Sequence, residues 1–512
     1  VTAAPAKRST WWTLVAVCGA TFMLLVDITI VQVALPRIHT QLHTSFTELQ
    51  WVIDAYSLTL AALVLMSGAL ADRFGRKRAF VGGVGIFTVS SLLCGIAQTG
   101  PQLDLARALQ GVGGATMFAT ALALIAQDYQ GRERGTAIAY WSATVGGAVA
   151  IGPLLGGALT DAFGWRWVFF VNLPIGALVL AIAGLRMINI ADPNAKRLDY
   201  LGLVTFSGSL FLLVFGLLRG NDAGWSSGEI LASLVGAGVL MSLFLAAELR
   251  QDRPMFDLSL FRNRSFSGVS VATFGIGAGM FAVFPYLTFY LQNLLRYSPF
   301  EGGLRILPAT VPAFVVPILV RRLGSRAAPG TQLGIGLAIT AGGLLWMSTL
   351  SADSRWTVLL PGLLLTGIGI GIANPTIAHI ALGVVPPQRS GMASGISNTF
   401  RIGGLATGIA ALGAVFQSGV RTKLEALLPS SGHALAGTVV ASGPHVAAAR
   451  VTGAAAQAQV VHAGTIAFVS GMHSLLIVGA ACVAIGALSA FAFVRTRDLL
   501  HVAGPPAAAL NE

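Results

Sequence analysis

Fourteen apolar runs of membrane-spanning length constrain this chain more than anything else in it. They fall at 11–35, 47–70, 79–98, 103–126, 136–159, 167–187, 199–219, 228–248, 265–291, 303–321, 330–350, 356–381, 392–418 and 466–494. A helix rising 1.5 Å per residue needs roughly 20 such residues to cross a bilayer core. A soluble domain of this length cannot hide so much apolar surface. The expected fold is an all-α polytopic membrane protein of about 14 transmembrane helices. Function must then be sought among the few polar groups carried into the bilayer.

Charged residues make up 10% of the chain while glycine occurs 62 times, as suits helices that pack backbone against backbone. The formal charge of +12 does not point to a nucleic-acid partner, because the basic residues lie between the apolar runs rather than on one soluble face. Counted with the N-terminus inside, segments such as 73–78, 132–134, 186–197, 250–264 and 321–326 carry a roughly twofold excess of Lys and Arg over the opposite segments. By the positive-inside rule both termini face the cytoplasm, in a multi-pass protein of the cell membrane. Cys18, Cys94 and Cys482 all sit in apolar runs and form no disulfide or metal pattern. The first run is too long for a signal peptide and reads as a permanent span.

Most connections are short, so successive helices are antiparallel neighbours. The runs group as six, two and six. Residues 11–187 form an N-terminal six-helix bundle, 199–248 two inserted linking helices, 249–264 a charged cytoplasmic linker, and 265–494 a C-terminal six-helix bundle. Residues 419–465 read as a long extracytoplasmic loop, in which 446–461 has the pattern of a surface helix and His433, His445 and His462 read as solvated. The inner segments ADRFGRKR (71–78) and VRRLGSR (320–326) echo one another: Gly75 aligns with Gly324, but Asp72 falls on Arg321. Transporters built from repeats place their substrate between such halves.

Two carboxylates lie clearly inside spans, Asp27 and Asp54. A charge at the bilayer centre costs on the order of 2.5–3.5 kcal/mol on insertion scales. Apolar neighbours surround Asp27 in LLVDITIVQVALP. Desolvation there penalises the charged form, which suits a group that loads and releases a proton. A structural hydrogen bond to a neighbouring helix is the competing reading. Asp54 has three: a cation-binding group, a share in the proton, or a face on an outer aqueous vestibule. Arg107 needs an acceptor or water, and Gln110 shares its helix face, so a proton relay competes with a structural bond. Arg401, with Asn398 in NTFRIGG, poses the same question in the second half.

The segment GALADRFGRKR (68–78) is the sharpest motif. Gly68 is expected to permit close helix approach, and Gly75 a tight turn. Asp72 sits among Arg73, Arg76, Lys77 and Arg78, where it suits a closable cytoplasmic gate. A positive-inside loop explains the bases but not the acid. In AIGPLLGGALTD (150–161), Gly152 and Gly156 are spaced for close packing, Gly157 adjoins them, and Pro153 removes a backbone donor, which suits a hinge. Tyr56, Trp141, Met280, Phe281, Phe284 and Tyr286 are candidate walls of a substrate cavity, with core or lipid packing as the alternative.

These segments together resemble the major facilitator superfamily, in its fourteen-helix drug:proton antiporter branch. GALADRFGRKR resembles the signature loop between helices 2 and 3, DITIVQVALP (27–36) the helix 1 motif, and LARALQGVGGA the helix 4 motif with its membrane arginine. GPLLGG (152–157) resembles the helix 5 antiporter motif, although Ala148 stands where a glycine is frequent. WRWVFFVNLPIG (165–176) and RSGMASGISNTFRIGG (389–404) resemble further segments of the branch. The resemblance implies a rocker-switch exporter exchanging external protons for an amphipathic cytosolic substrate. It implies protonation at Asp27, proton transfer at Arg107 and a cytoplasmic gate at Asp72, and it carries no role over to Asp54.

Proton-coupled efflux of drugs, antibiotics or dyes is therefore the leading expectation, with no cofactor beyond the coupling proton and no oligomer required. No Gly-Lys-Ser/Thr occurs, which argues against an ATP-driven pump. Import of a nutrient, or export of a lipid or endogenous metabolite, are the alternatives. His379 and His473 are isolated in their spans, and no cluster points to metal chemistry or to an enzyme.

Overall fold

A computed structural model describes residues 11–129, 131–189, 199–251, 256–323, 327–385 and 390–499. Every regular element among them is helical. The first six spans are α1 (Trp11–Leu42), α2 (Phe46–Phe74), α3 (Arg76–Ile96), α4 (Gly100–Asp128), α5 (Gly131–Phe163) and α6 (Trp167–Arg186). Next come α7 (Tyr200–Ala223) and α8 (Gly228–Arg250). The last group holds α9 (Arg264–Leu294), α10 (Pro299–Leu323), α11 (Pro329–Met347), α12 (Trp356–Gly383), α13 (Ser390–Leu427), the short α14 (Gly432–Ser442) and α15 (Pro444–Ala448), and α16 (Ala454–Phe493). Among the described residues, thirteen helices are long and apolar enough to cross a membrane. The 29-residue α2, packed along α4, is consistent with a fourteenth.

Side-chain caps fix where several helices begin. Ser45 and Glu48 form a reciprocal capping box at α2: the Glu48 amide donates to Ser45 Oγ (3.1 Å) and the Ser45 amide to Glu48 Oε2 (2.6 Å). Ser298 and Glu301 repeat the device at α10, the second helix of the last group. Thr99, Asp199, Ser227 and Asn263 cap α4, α7, α8 and α9. Glu48 is thus a capping residue.

Packing follows two sets. Helix α1 lies against α5 and α6, and α4 against α2 and α3. In the second set α9 and α13 pack on each other and on α16, while α12 packs on α10 and α11. Two long contacts join the sets, α5 with α10 and α2 with α13, and α7 leans on α2 and α13. Helix α9 loses its regularity around Pro285: a 3-10 turn at Phe281–Val283 is followed by one α-turn and a π-turn at Tyr290–Leu294.

The expected loop at 419–465 is a correction. Helix α13 continues to Leu427, α16 already begins at Ala454, and α14 and α15 fill most of the interval. The surface helix expected at 446–461 is instead the end of α15, a turn, and the start of α16. Leu435, Val439, Val440 and Ala447 are buried, so apolar contact holds this cap down. Low sequence complexity concealed a set of small residues that pack closely. Part of the expected linker (252–255), together with Gly324 and the Arg321 side chain in the second gate loop, lies outside the described residues.

Candidate functional site

For reference, the side holding the start of α1 is called the near side, and the side holding the loops after α1, α3 and α5 the far side. Asp27, midway along α1, is fully buried at 0% exposure, and Arg107 of α4 is 1% exposed. Their side chains meet: Arg107 Nη1 donates to Asp27 Oδ2 at 2.5 Å. Gln110, three residues on, shares the helix face and accepts from Arg107 Nη1 at 2.7 Å. Gln110 Nε2 donates in turn to the other carboxylate oxygen, Asp27 Oδ1, at 2.9 Å. Asn172 of α6 donates to the same oxygen at 3.2 Å and to Ser91 Oγ of α3 at 2.9 Å. Arg107 Nε reaches the Val52 carbonyl of α2 at 2.9 Å, and its guanidinium lies 4.3 Å from the centre of the Tyr56 ring.

Five helices therefore converge on one ion pair. The carboxylate accepts from three side chains, so its charged form is fully satisfied in this conformation. Breaking such a pair by removing one partner typically costs about 3–5 kcal/mol, because the other charge is left buried. A proton arriving at Asp27 would release Arg107, which makes the pair able to couple a protonation to a rearrangement. Sequence reasoning found Asp27, Arg107 and Gln110 but gave no role to Asn172 or Ser91. Both are polar residues in otherwise apolar segments, and that was the available signal.

Asp54 lies elsewhere. It is also 0% exposed, but neither carboxylate oxygen has a hydrogen-bond partner among the described residues. The expectation that it faces an aqueous vestibule is thus corrected. Gln50, one turn before it on α2, donates through Nε2 to Tyr286 Oη of α9 (3.0 Å) and to the Ile409 carbonyl of α13 (3.0 Å).

The bonds that join the two helix sets gather towards the far side. Gln292 Nε2 donates to the Val33 carbonyl at 2.9 Å, and the Phe300 amide to Asp161 Oδ2 at 2.9 Å. His39 Nε2 of α1 lies 2.6 Å from Ser442 Oγ at the end of α14. Bare glycines allow the helices this close. A Cβ on Gly157 would come within 2.5 Å of the Pro299 carbonyl oxygen, and one on Gly303 within 2.5 Å of the Pro153 carbonyl oxygen. Gly156 meets Ile30 of α1 in the same way, and Gly152 meets Thr29. The GPLLGG segment is thus wedged between the helix that carries Asp27 and the first turn of α10. The far side is closed in this conformation.

The profile of the Major Facilitator Superfamily matches residues 17–411. The chain belongs to the Major Facilitator Superfamily. Multidrug resistance protein Stp of Mycobacterium tuberculosis (strain CDC 1551 / Oshkosh) is 35% identical, over 97% of this chain and 94% of that protein. The tetracenomycin C resistance and export protein of Streptomyces glaucescens is 35% identical over 80% of this chain and 76% of its own length. Among solved structures, a bacterial homolog of the human lysosomal transporter Spinster, in an inward-facing and occupied conformation, superposes with a TM-score of 0.60 at 16% identity. It covers 97% of this chain and 100% of that one, and shows the shared fold. The protein is a Major Facilitator Superfamily transporter with resistance and efflux proteins among its relatives.

On the near side of this transporter, the loop between α2 and α3 is tied to the end of α6. Gly75 has φ +100°, and a Cβ there would collide with the Asn189 side chain. Asn189 Oδ1 accepts from the Arg78 amide at 3.2 Å, and Lys77 Nζ donates to the Gly184 and Met187 carbonyls at 2.8 Å each. Arg76 Nη1 donates to the Ala123 carbonyl at 3.2 Å, while Arg73 lies 5.6 Å from the Phe74 ring centre. Gly75 is the tight turn that was expected. Gly68 differs from the expectation, since nothing among the described residues lies within 4 Å of where its Cβ would stand. The side chain of Asp72 lies outside the described residues.

The remaining candidates separate. Trp141 Nε1 donates to Thr21 Oγ1 at 2.9 Å and its ring packs on Phe118, so it sits within the first set. Met280 is fully buried in α9, with Phe281 and Phe284 partly buried beside it. Tyr286 packs among Phe46, Phe289 and Phe416 at the far-side closure. Arg401 bonds Asn398 on its own helix.

Proposed function

We propose that this transporter exports amphipathic small molecules (drugs, antibiotics or dyes) in exchange for protons, by alternating access between its two helix sets. The buried Asp27–Arg107 pair, held by Gln110 and Asn172, is the observation that supports this reading most directly. Asp27 exchanges its ion pair for a proton, and the freed Arg107 lets α1, α4 and α6 shift against one another. Helix α5 passes that shift on, because Gly152 and Gly156 hold it against α1 while Gly157 touches α10. The relatives' names, multidrug resistance and tetracenomycin C resistance and export, favour outward transport. The excess of Lys and Arg on the near side supports a cytoplasmic assignment for that side, in the cell membrane with both termini inside. The two helix sets then act as six-helix bundles linked by α7 and α8, in a transporter that works as a monomer. The energy source is the proton gradient, since one charge crossing 100 mV releases about 2.3 kcal/mol.

The test is transport of a fluorescent amphipathic cation into inverted vesicles. Uptake should collapse when a protonophore is added. Uptake that continues unchanged would refute proton exchange.

A further inference from the structure

We propose that Asp54 is a latch, separate from Asp27, whose proton holds the outer end of the transporter shut. Only the naming of the far side as the outer side rests on the functional reading above.

The argument begins with helical spacing. Gln50, Asp54 and Leu58 follow one another at one-turn intervals on α2 and share a face. Gln50 bonds Tyr286 and Ile409 of the second set. Leu58 packs with Ala406 and Ala410 of α13 and with Leu210 of α7. Asp54 therefore points into the seam between the halves, fully buried, with both oxygens unpartnered among the described residues. A carboxylate there would lack the water and the donors that its charge needs, whereas the neutral acid is far less costly to bury.

The surrounding charges offer no substitute. Among the described residues, the titratable group that faces Asp54 is the Tyr286 phenol, whose hydroxyl already donates to the Ile409 carbonyl at 2.5 Å. From α4, Arg107 is engaged with the Val52 carbonyl and with Asp27, and Asp104 lies with Glu48 at the outer rim. Asp222 of α7 bonds Thr47 at that rim, and Arg401 of α13 bonds Asn398 two turns further in. When α2 parts from α13, water enters the seam and Asp54 ionises. Closing the outer end again requires one proton, taken from the outside. That proton returns to the side it came from, so the latch regulates the gate without adding to the transported charge.

The two buried acids thus differ in the closed conformation: Asp27 is held by Arg107, Gln110 and Asn172, while Asp54 is protonated and has no partner among the described residues. For a group protonated when closed and free to ionise when open, the closed-to-open ratio falls about tenfold per pH unit above the open-state pKa.

The experiment places spin labels at Thr40→Cys, in the exposed last turn of α1, and Asp353→Cys, on the exposed outer loop between α11 and α12, in a chain whose three native cysteines are replaced by alanine. Pulsed dipolar distances are measured in lipid nanodiscs from about pH 5 to about pH 9, a range above the ordinary aspartate pKa of about 3.9, where the closed-to-open ratio of the latch should fall. The parent chain should move from the short to the long distance as pH rises. Asp54→Asn, which mimics the protonated acid, should stay short throughout, and Asp27→Asn should still respond. Infrared difference spectra at neutral pH should show that Asp54→Asn removes one protonated-carboxyl band. An Asp54→Asn chain that opens like the parent, or lacks that spectral loss, overturns the latch. Vesicle uptake that resists a protonophore would instead refute the exchange mechanism and leave this comparison intact.

Discussion

Gln50 and Tyr286 meet across the two helix sets and share one acceptor. Gln50 Nε2 donates to Tyr286 Oη, and both side chains reach the carbonyl of Ile409. The triangle ties α2, α9 and α13 together at the level where the far side closes. Tyr286→Phe keeps the ring against Phe46, Phe289 and Phe416 but removes the hydroxyl. A net loss of about 1 kcal/mol is expected for such a bond, or about a fivefold shift towards the far-open state. The Thr40–Asp353 label distance reads this directly. An unchanged distribution would mean that the triangle contributes nothing to closure.

The Asp27–Arg107 pair makes a second prediction, in which charge and geometry can be separated. Asp27→Asn should abolish proton-driven uptake in inverted vesicles. Arg107→Lys keeps the charge, but one ammonium cannot reproduce the fork that reaches Val52, Gln110 and Asp27 together. It should cut uptake by at least about tenfold, equivalent to about 1.4 kcal/mol in the barrier. Normal uptake in Arg107→Lys would reduce the arginine to a plain counter-charge.

Glycine contacts give a third. A Cβ on Gly157 would overlap the Pro299 backbone, which has no flexible end to move aside. Gly157→Ala should therefore hold α5 away from α10, lengthening the Thr40–Asp353 distance and suppressing transport. Gly68→Ala meets nothing, and replacing a mid-helix glycine with alanine gains roughly 0.5–1 kcal/mol of helix propensity. Its melting temperature should hold or rise. A matching effect of the two substitutions would show that these close contacts do not govern closure.

Much of this architecture was legible because membrane spans write themselves in composition. The fourteen runs predicted the spans, and six helix starts carried a Ser, Thr, Asp or Asn cap that sequence alone can suggest. Asp27 and Arg107 stood out because a charge among apolar residues needs a partner. Their pairing did not, since 80 residues separate them and only packing brings α1 beside α4. Asn172 and Asn189 were harder still. An asparagine is equally at home in a loop, and its value here lies in which oxygen or amide it faces. The cap at 428–453 escaped because Ala, Gly, Ser and Val have no strong period, while its burial depends on contacts with α1, α9 and α16.

That cap supplies the last prediction. Gly443 joins α14 to α15 with φ +85°, in the left-handed region that side chains avoid, and a Cβ there would lie 2.5 Å from the Asn293 carbonyl oxygen of α9. Around it, Asn293 Nδ2 donates to the Ala441 carbonyl at 2.9 Å, and Ser442 meets His39 of α1. One turn thus touches both helix sets in this far-closed conformation. Gly443→Ala combines backbone strain, commonly about 1–3 kcal/mol, with a steric clash, so it should release residues 432–448 from both partners. Amide hydrogen exchange should rise there while α3 and α4 keep their protection. Asn293→Ala removes one hydrogen bond and leaves the turn intact, so its effect should be smaller and confined to the α9 contact. Equal, unchanged exchange in both variants would mean that apolar burial of Leu435, Val439 and Val440 alone seats the cap.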